Sequence, residues 1–255
     1  MTMPTLESDL VLVSNTESVM EITLNRPDKL NALTSAMYRD LVKLLAAAEQ
    51  SDDVRVVLFR GEGKSFSAGN DLMDFLNAKP GEAGEAAHFI QAIHDFPKAV
   101  VAAVQGNAVG VGTTMLLHMD LVVASEDAKL ITPFVDLGAV PEAGSAKLLP
   151  AWIGYQRAAR MLLLGEPMLA AEALEIGLVA KVVKGDELDA TARNMAATLA
   201  KKPPRALQAS KRLMRESINK PLHQVVQEDL VLFGEMLQGD EAKAVIAAMV
   251  SKSKG

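Results

Sequence analysis

Two short stretches of small residues carry groups that could act on a developing negative charge. Residues 65–72, SFSAGNDL, follow the apolar run 54–60, and residues 106–114, GNAVGVGTT, follow the apolar run 99–104. Small residues let another backbone approach closely, and a helix that begins in such a turn leaves backbone N–H groups without an internal acceptor. If the two turns meet, their N–H groups can bind one carbonyl oxygen as an oxyanion hole does, where a donor typically contributes about 3 kcal/mol.

Hydrophobic spacing predicts the elements that would position these turns. Polar residues 14–18 separate two β-rich runs and predict a hairpin, and Thr34 is typical of the cap of a helix that runs to about residue 50. Pro80, Gly81 and Gly84 interrupt residues 73–85, which are predicted to be a loop. Residues 147–164 predict one or two helices, with Gly154 between them. The other predicted helices are 86–96, 113–119, 167–176, 186–200, 203–217, 222–237 and 240–250, and the predicted strands are 10–13, 19–24, 54–59, 99–104, 120–124, 130–132 and 178–183.

Strands that alternate with helices and then give way to helices predict an α/β fold with a helical C-terminal region. We expect residues 1–195 to form the core and residues 196–255 to form the C-terminal helices. A chain of 255 residues is long enough for one large domain with a small helical appendix.

Composition excludes several classes of function. The chain has a net charge of −6 and lacks an extended basic run, so we expect no nucleic-acid partner. It contains no cysteine, which rules out thiol nucleophiles, thiolate metal sites and disulfides. Its apolar runs are shorter than the roughly 20 residues that a membrane span needs, and no leader segment is apparent. We therefore expect a cytoplasmic protein without a membrane partner.

Several ordered motifs resemble the crotonase (enoyl-CoA hydratase/isomerase) superfamily. Residues 54–72 and 105–125, which contain the two turns, look like the signature segments of that family. The resemblance extends to residues 25–33, NRPDKLNAL, and to the later segments 137–144 and 170–179. It covers nearly the whole chain, and it implies a spiral core of ββα units whose C-terminal helices build a homotrimer or a dimer of trimers.

The same resemblance implies an acyl-CoA thioester as the ligand, with no metal and no cofactor beyond the CoA of the substrate. By position, the backbone N–H groups of Asn70 and Val111 would form the oxyanion hole. The other residues that the resemblance places at the substrate or at CoA are Lys29, Ala68, Gly69, Asp71, Leu72, Gly110, Thr114 and Phe134. Asp71 is also typical of a helix cap.

Two of these positions bear on the type of reaction. Family members that hydrate an enoyl-CoA use two glutamates around one water, and the matching residues here are Thr114 and Phe134. A threonine hydroxyl is far too weak a base and a phenyl ring has no proton to give, whereas water addition needs a positioned base and acid. The resemblance therefore argues against an efficient hydratase.

Glu142 is the carboxylate that could act as a base in place of the two hydratase glutamates. It lies in residues 141–145, PEAGS, and resembles the Δ3,Δ2-enoyl-CoA isomerase branch, whose glutamate occupies this position. An apolar surround would raise its pKa and strengthen it as a base. Glu142 could instead be an exposed loop carboxylate, and Asp136 is the second choice of base. We expect His118 to be a packed or capping residue, because the histidines lack metal-ligand spacing.

The sequence thus predicts an isomerase that moves the double bond of a 3-enoyl-CoA to the 2-position, with Glu142 as the single proton shuttle. Weak hydration or other chemistry through the same enolate is one alternative. A non-catalytic oligomer that binds acyl-CoA is the other.

Overall fold

The computed structural model describes residues 3–77, 84–217 and 220–252. Its strands are β1 (Val11–Thr16), β2 (Val19–Leu24), β3 (Val56–Gly61), β4 (Ala99–Val104), β5 (Asn107–Val109), β6 (Leu121–Ser125), β7 (Lys129–Ile131), β8 (Met168–Leu169) and β9 (Lys181–Val183). Its helices are α1 (Ser35–Gln50), α2 (Leu72–Asn77), α3 (Glu85–Asp95), α4 (Val111–Thr114), α5 (Ser145–Ile153), α6 (Tyr155–Leu164), α7 (Ala170–Glu175), α8 (Leu188–Ala200), α9 (Pro204–Glu216), α10 (Leu222–Gln238) and α11 (Asp240–Lys252). Short 3₁₀ turns span Pro27–Lys29, Met115–His118 and Gly185–Glu187.

Two sheets organise the fold. The larger sheet has the strand order β1-β2-β3-β4-β6-β9, in which β1 and β2 form the predicted antiparallel hairpin and the remaining pairs are parallel. The smaller sheet has the order β5-β7-β8. Because β3 and β4 run parallel side by side, the turns that follow them leave the sheet at the same edge. This placement brings the two stretches of small residues into one region.

The larger sheet is covered on both faces, as the continuous apolar run of β4 predicts. Val57 and Phe59 of β3 belong to the cluster that includes the buried face of α1, and Val56 and Leu58 point to the other side. On that side, alanines of α8 spaced four residues apart pack on the sheet, namely Ala192, Ala196 and Ala200. This alternation follows from the two-residue period of a strand and the turn spacing of a helix.

Local signals account for several boundaries. The predicted cap at Thr34 is confirmed, since its Oγ1 accepts a hydrogen bond from the Met37 N–H at 3.3 Å. The cap leads directly into α1, whose apolar stripe is buried. The overall prediction of an α/β core with C-terminal helices is confirmed, while the proposed division at residue 195 stays a prediction.

Three predicted segments need correction. The loop prediction for residues 73–85 is wrong at its start, because Asp71 caps α2, which begins at Leu72; residues 78–83 lie outside the described part of the chain. Residues 167–176 do not begin as a helix, since Met168–Leu169 pairs with β7 before α7 begins. The helix predicted from residue 113 begins at Val111 and tightens to a 3₁₀ turn after Thr114.

The C-terminal helices leave apolar side chains uncovered. One stripe of α10 exposes Leu222, Val226, Leu230 and Phe233 to between 47% and 77%. Across residues 3–77, 84–217 and 220–252, no helix has both the length and the hydropathy to cross a bilayer.

Candidate active site

The two turns lie against each other through backbone contacts. The Val109 N–H donates to the Ser67 carbonyl at 2.9 Å, and the Ser67 N–H donates to the Asn107 carbonyl at 3.2 Å. A Cβ atom on Gly69, whose φ is +87°, would lie 2.6 Å from the Val109 carbonyl oxygen. A Cβ atom on Gly112 would lie 2.9 Å from the Ser67 oxygen. Glycine is therefore required at both positions for the turns to meet this closely.

Each turn presents a backbone N–H group that is free to bind a ligand. Leu33 pairs with the groups on either side of Asn70, since its N–H donates to the Gly69 carbonyl at 2.7 Å and its carbonyl accepts from Asp71 at 2.9 Å. Val111 is the first residue of α4, where a backbone N–H has no acceptor within the helix. Within the described residues neither the Asn70 nor the Val111 N–H has an acceptor. These are the two predicted donors, and their convergence on one oxygen stays a prediction.

Side chains from outside the turn hold Asn70 and its neighbour in place. The buried Tyr38 hydroxyl donates to the Asn70 Oδ1 at 2.5 Å. Arg26 Nη1 lies 2.7 Å from Asp71 Oδ2, and this ion pair holds the pKa of Asp71 below its usual value. Asp71 Oδ1 also accepts from the Met73 N–H at 2.9 Å, which confirms Asp71 as a helix cap. The sequence does not predict these roles for Tyr38 and Arg26, because Asn70 and Asp71, which they contact, are more than 30 positions away in the chain.

Glu142 is brought to the same region. It is partly buried, and the buried Thr114 hydroxyl donates a hydrogen bond to its Oε1. Burial raises the pKa of Glu142, and the hydrogen bond from Thr114 opposes this rise. The other carboxylate oxygen, Oε2, has no hydrogen bond to the described part of the chain. A carboxylate with a raised pKa and one unbonded oxygen has the properties of a general base.

Tyr38 connects Glu142 to the first turn. Burial raises the pKa of Tyr38, and the negative charge of Glu142 raises it further. The phenol therefore stays protonated at neutral pH and remains a donor to Asn70. The structure thus brings Tyr38, Asn70, Thr114 and Glu142 together, although these residues lie on four different segments of the chain.

Asp136, the second choice of base, is directed elsewhere. It is exposed, and its Oδ2 lies 2.7 Å from the position that a Cβ atom on Gly165 would take. This places Asp136 against the end of α6, and among the described residues the Thr114 hydroxyl bonds Glu142 and not Asp136. The geometry therefore favours Glu142 over Asp136.

The remaining predicted residues are accounted for as follows. Phe134 is buried, and Gly110 precedes α4 and accepts hydrogen bonds from Thr113 and Thr114. Ala68 donates its N–H to the Leu30 carbonyl at 2.8 Å. The side chains of Leu72 and Lys29 are exposed. Their contacts with CoA stay predictions. Over residues 3–77, 84–217 and 220–252, no group of three or more His, Cys, Asp or Glu side chains is arranged to hold a metal ion.

Comparison with known proteins assigns the family. The family model described as enoyl-CoA hydratase/isomerase matches residues 14–255. "Enoyl-CoA delta isomerase 2" of Rattus norvegicus is 37% identical over 254 residues, which cover 96% of this chain and 64% of the rat protein. The chain thus spans less than two thirds of that relative. "2,3-dehydroadipyl-CoA hydratase" of Escherichia coli (strain K12) is 32% identical over 244 residues, with 95% and 96% of the two chains covered.

Solved structures agree with the sequence comparison. A structure from Magnetospirillum magneticum AMB-1 superposes with a TM-score of 0.93 at 41% identity, covering 96% of this chain and 97% of that one. The relatives include both isomerases and hydratases by name. On the family model, the sequence identities and the shared fold, this chain belongs to the enoyl-CoA hydratase/isomerase family.

Proposed function

We propose that this protein is an isomerase that moves the double bond of a 3-enoyl-CoA thioester to the 2-position. The observation that carries the proposal is the state of Glu142, which is partly buried, has a raised pKa and accepts a hydrogen bond from Thr114 through one oxygen only. The residues at the two positions where the family's hydratases have glutamate, Thr114 and Phe134, provide no acid–base group. A reaction that needs one base fits this site better than a reaction that needs two.

The proposed reaction conserves protons and electrons. Glu142 removes a proton from C2 of the thioester. The C–H electron pair forms the C1–C2 double bond of a dienolate, and the carbonyl π pair moves onto the oxygen. The backbone N–H groups of Asn70 and Val111 stabilise the dienolate oxygen. The carboxylic acid form of Glu142 then returns the proton to C4. The C3–C4 π pair forms the new C–H bond, the C1–C2 pair becomes the C2–C3 double bond, and the oxygen re-forms the carbonyl. One group suffices, because both carbons can lie on the same face of a planar intermediate.

Burial and hydrogen bonding suit Glu142 to both steps. The raised pKa makes the carboxylate a stronger base than an exposed glutamate, and it makes the acid easier to form during the reaction. The Thr114 hydroxyl holds Oε1 and leaves Oε2 to take and return the proton. Thr114 thus acts as an orienting group for Glu142 in this proposal.

The decisive test measures isomerisation of 3-hexenoyl-CoA by following the absorbance of the conjugated 2-enoyl thioester. Glu142→Gln removes the base and keeps the shape, and we expect kcat to fall by about 10²–10⁴-fold. Asp136→Asn is the matched control, because it removes a carboxylate from the same irregular segment and should leave kcat unchanged. Equal activity of Glu142→Gln and wild type would contradict the proposal.

Two other outcomes would support the alternatives. Hydration of crotonyl-CoA without isomerisation of 3-hexenoyl-CoA would favour a hydratase, which the names of some relatives suggest. Binding of CoA esters without turnover would favour a non-catalytic acyl-CoA-binding protein. Either result would overturn the assignment of an isomerase.

We further propose that the C-terminal helices pack against other copies of this chain in a trimer or a dimer of trimers. A groove of about 670 Å³ between α9, α10 and α11 is lined mainly by apolar side chains, and the stripe on α10 continues the exposed apolar surface. A second copy would remove this surface from water. Multi-angle light scattering tests the proposal, and a monomer at micromolar concentration would refute it. A cytoplasmic location stays a prediction.

A further inference from the structure

The backbone that carries Glu142 adopts an unfavourable conformation. Ala143 has φ of +51° and is followed by Gly144 with φ of +72°. Both values lie in the left-handed region, which is costly for alanine but not for glycine. A left-handed alanine persists where surrounding contacts fix it. The contacts of the Ala143 carbonyl therefore bear on the direction in which Glu142 points.

His118 makes one of these contacts. Its Nε2 lies 2.9 Å from the Ala143 carbonyl oxygen, so Nε2 carries the proton in this hydrogen bond. His118 ends the 3₁₀ turn Met115–His118, and this turn directly follows Thr114, whose hydroxyl bonds Glu142. The same short segment thus contacts Glu142 at its side chain and at the following peptide group.

A second histidine meets the other ring nitrogen of His118. His94 Nδ1 lies 3.3 Å from His118 Nδ1, and the two rings meet edge to face at 88°. Two facing Nδ1 atoms can bond only if one of them is protonated. Because His118 uses its proton at Nε2, the proton between the rings belongs to His94. Burial lowers the pKa of His118 to about 4, and His94 and Arg215 add to this effect, so His118 is neutral at pH 7.

Arg215 of α9 fixes both histidines from the other side. Its guanidinium donates to the His94 carbonyl at 2.7 Å and to the His118 carbonyl at 2.6 Å. Asp120 lies 3.7 Å from the same guanidinium and partly balances its charge. In the described part of the chain, His94 from α3 and Arg215 from α9 act electrostatically on His118, and Lys147 of α5 lines the same cavity. This network joins the Glu142 turn to the C-terminal helices.

We propose that His118 is a positioning residue for Glu142. Its Nε2–H holds the Ala143 carbonyl and thereby fixes the left-handed turn that directs the Glu142 carboxylate, and His94 keeps His118 in the tautomer that can do so. The role of Glu142 in this statement rests on the isomerase function proposed above. The hydrogen bond from His118 to the Ala143 carbonyl does not depend on that function.

Kinetics of two substitutions test the catalytic part. His118→Leu removes the donor, and we expect kcat on 3-hexenoyl-CoA to fall by about 10–100-fold with KM nearly unchanged, because misplacing a reacting group by about 1 Å can cost 10²-fold. His118→Gln can place an amide N–H near the Nε2 position and should restore most of kcat. Thr132→Val is the control, since it removes a buried hydrogen bond to the Met161 carbonyl, 2.8 Å long, away from the Glu142 turn. Its kcat should match wild type.

The tautomer makes a separate prediction. His94→Leu should lower kcat in the wild-type background, because neutral His118 can then place its proton on Nδ1. The same substitution should have little effect in His118→Gln, because an amide has no tautomer to lose. Equal effects of His94→Leu in both backgrounds would overturn the assigned role of His94.

An activity-independent measurement separates failure of this proposal from failure of the isomerase function. Carbonyl-¹³C alanine with ¹⁵N-glycine labels three Ala–Gly peptide groups in the chain, at Ala68, Ala83 and Ala143. The Ala143 carbonyl resonance should move in His118→Leu and stay close to wild type in His118→Gln and Thr132→Val. A resonance that does not move, or an undiminished kcat of His118→Leu beside an inactive Glu142→Gln, would overturn the proposal. If wild type shows no isomerisation, the proposed function fails and the resonance alone decides whether His118 holds the turn.

Discussion

Lowering the pH should destabilise this protein through His118. The pKa of His118 is about 4 in the folded chain, because the ring is buried and faces His94 and Arg215, whereas an unfolded histidine titrates near 6.5. Between these values the unfolded chain binds the proton and the folded chain does not, so stability falls as the pH is lowered. His118 therefore leaves the free energy of unfolding almost unchanged above about pH 6.5. It lowers that free energy progressively as the pH falls from there to about pH 4.

The size of this loss follows from the two pKa values. Linkage gives about 2 kcal/mol between pH 7 and pH 5, and about 3 kcal/mol by pH 4. Carboxylates whose pKa is lowered in the folded state, such as Asp71 beside Arg26, lose stabilisation over part of the same range. The effect of His118 must therefore be measured as a difference between two proteins.

Urea unfolding followed by circular dichroism at pH 7, 6 and 5 provides that difference. His118→Gln cannot take up a proton at this site, and it keeps the other titrating groups. We expect wild type to lose about 2 kcal/mol more than His118→Gln between pH 7 and pH 5. Parallel curves for the two proteins would refute the reasoning, since they would mean that folding does not suppress protonation of His118.

Three further substitutions have expected outcomes. Gly69→Ala places a Cβ atom 2.6 Å from the Val109 oxygen at a φ of +87°. We expect the strain to lower the free energy of unfolding by about 1–3 kcal/mol, seen as a lower melting temperature, and kcat/KM to fall at least tenfold. Unchanged kinetics would contradict the contact between the turns. Thr114→Val removes a hydrogen bond that lowers the pKa of Glu142. The acidic limb of the kcat–pH profile should therefore move to higher pH, and a shift to lower pH would contradict the assigned role of Thr114. Leu230→Asp puts a charge on a side chain that is 65% exposed on α10 and should yield monomers in light scattering, whereas an intact oligomer would locate the interface elsewhere.

Much of the fold could be predicted because its signals are local. The apolar run of β4 predicts a strand covered on both faces, and all six of its residues are buried. Thr34 predicts its helix through a hydrogen bond that spans only three residues. The two-residue strand β8 has no such signal, because Met168 and Leu169 become a strand only through pairing with β7.

The sequence points to the two turns and to Glu142, and the structure places them in one region, whereas the supporting side chains carry no signal in the sequence. Tyr38 lies in the first turn of α1 and has the pattern of a core aromatic, and only the fold brings its hydroxyl to Asn70, 32 positions away. His118 was expected to be packed or capping, and it is buried, yet its bond to Ala143 and its contact with His94 span 25 and 24 positions. Contacts over such separations depend on how helices dock, and a single sequence does not encode that locally.

The contact between the two turns has a consequence for how the chemistry of such a chain can change. Ser67, Gly69, Val109 and Gly112 meet through main-chain atoms, so the spacing of the turns depends on the two glycines and on backbone hydrogen bonds. The side chains that would select a reaction, such as those at positions 114, 134 and 142, can therefore be exchanged without rebuilding that frame. A single scaffold of this kind can diversify in reaction type through a few substitutions, each made against a constant electrostatic background.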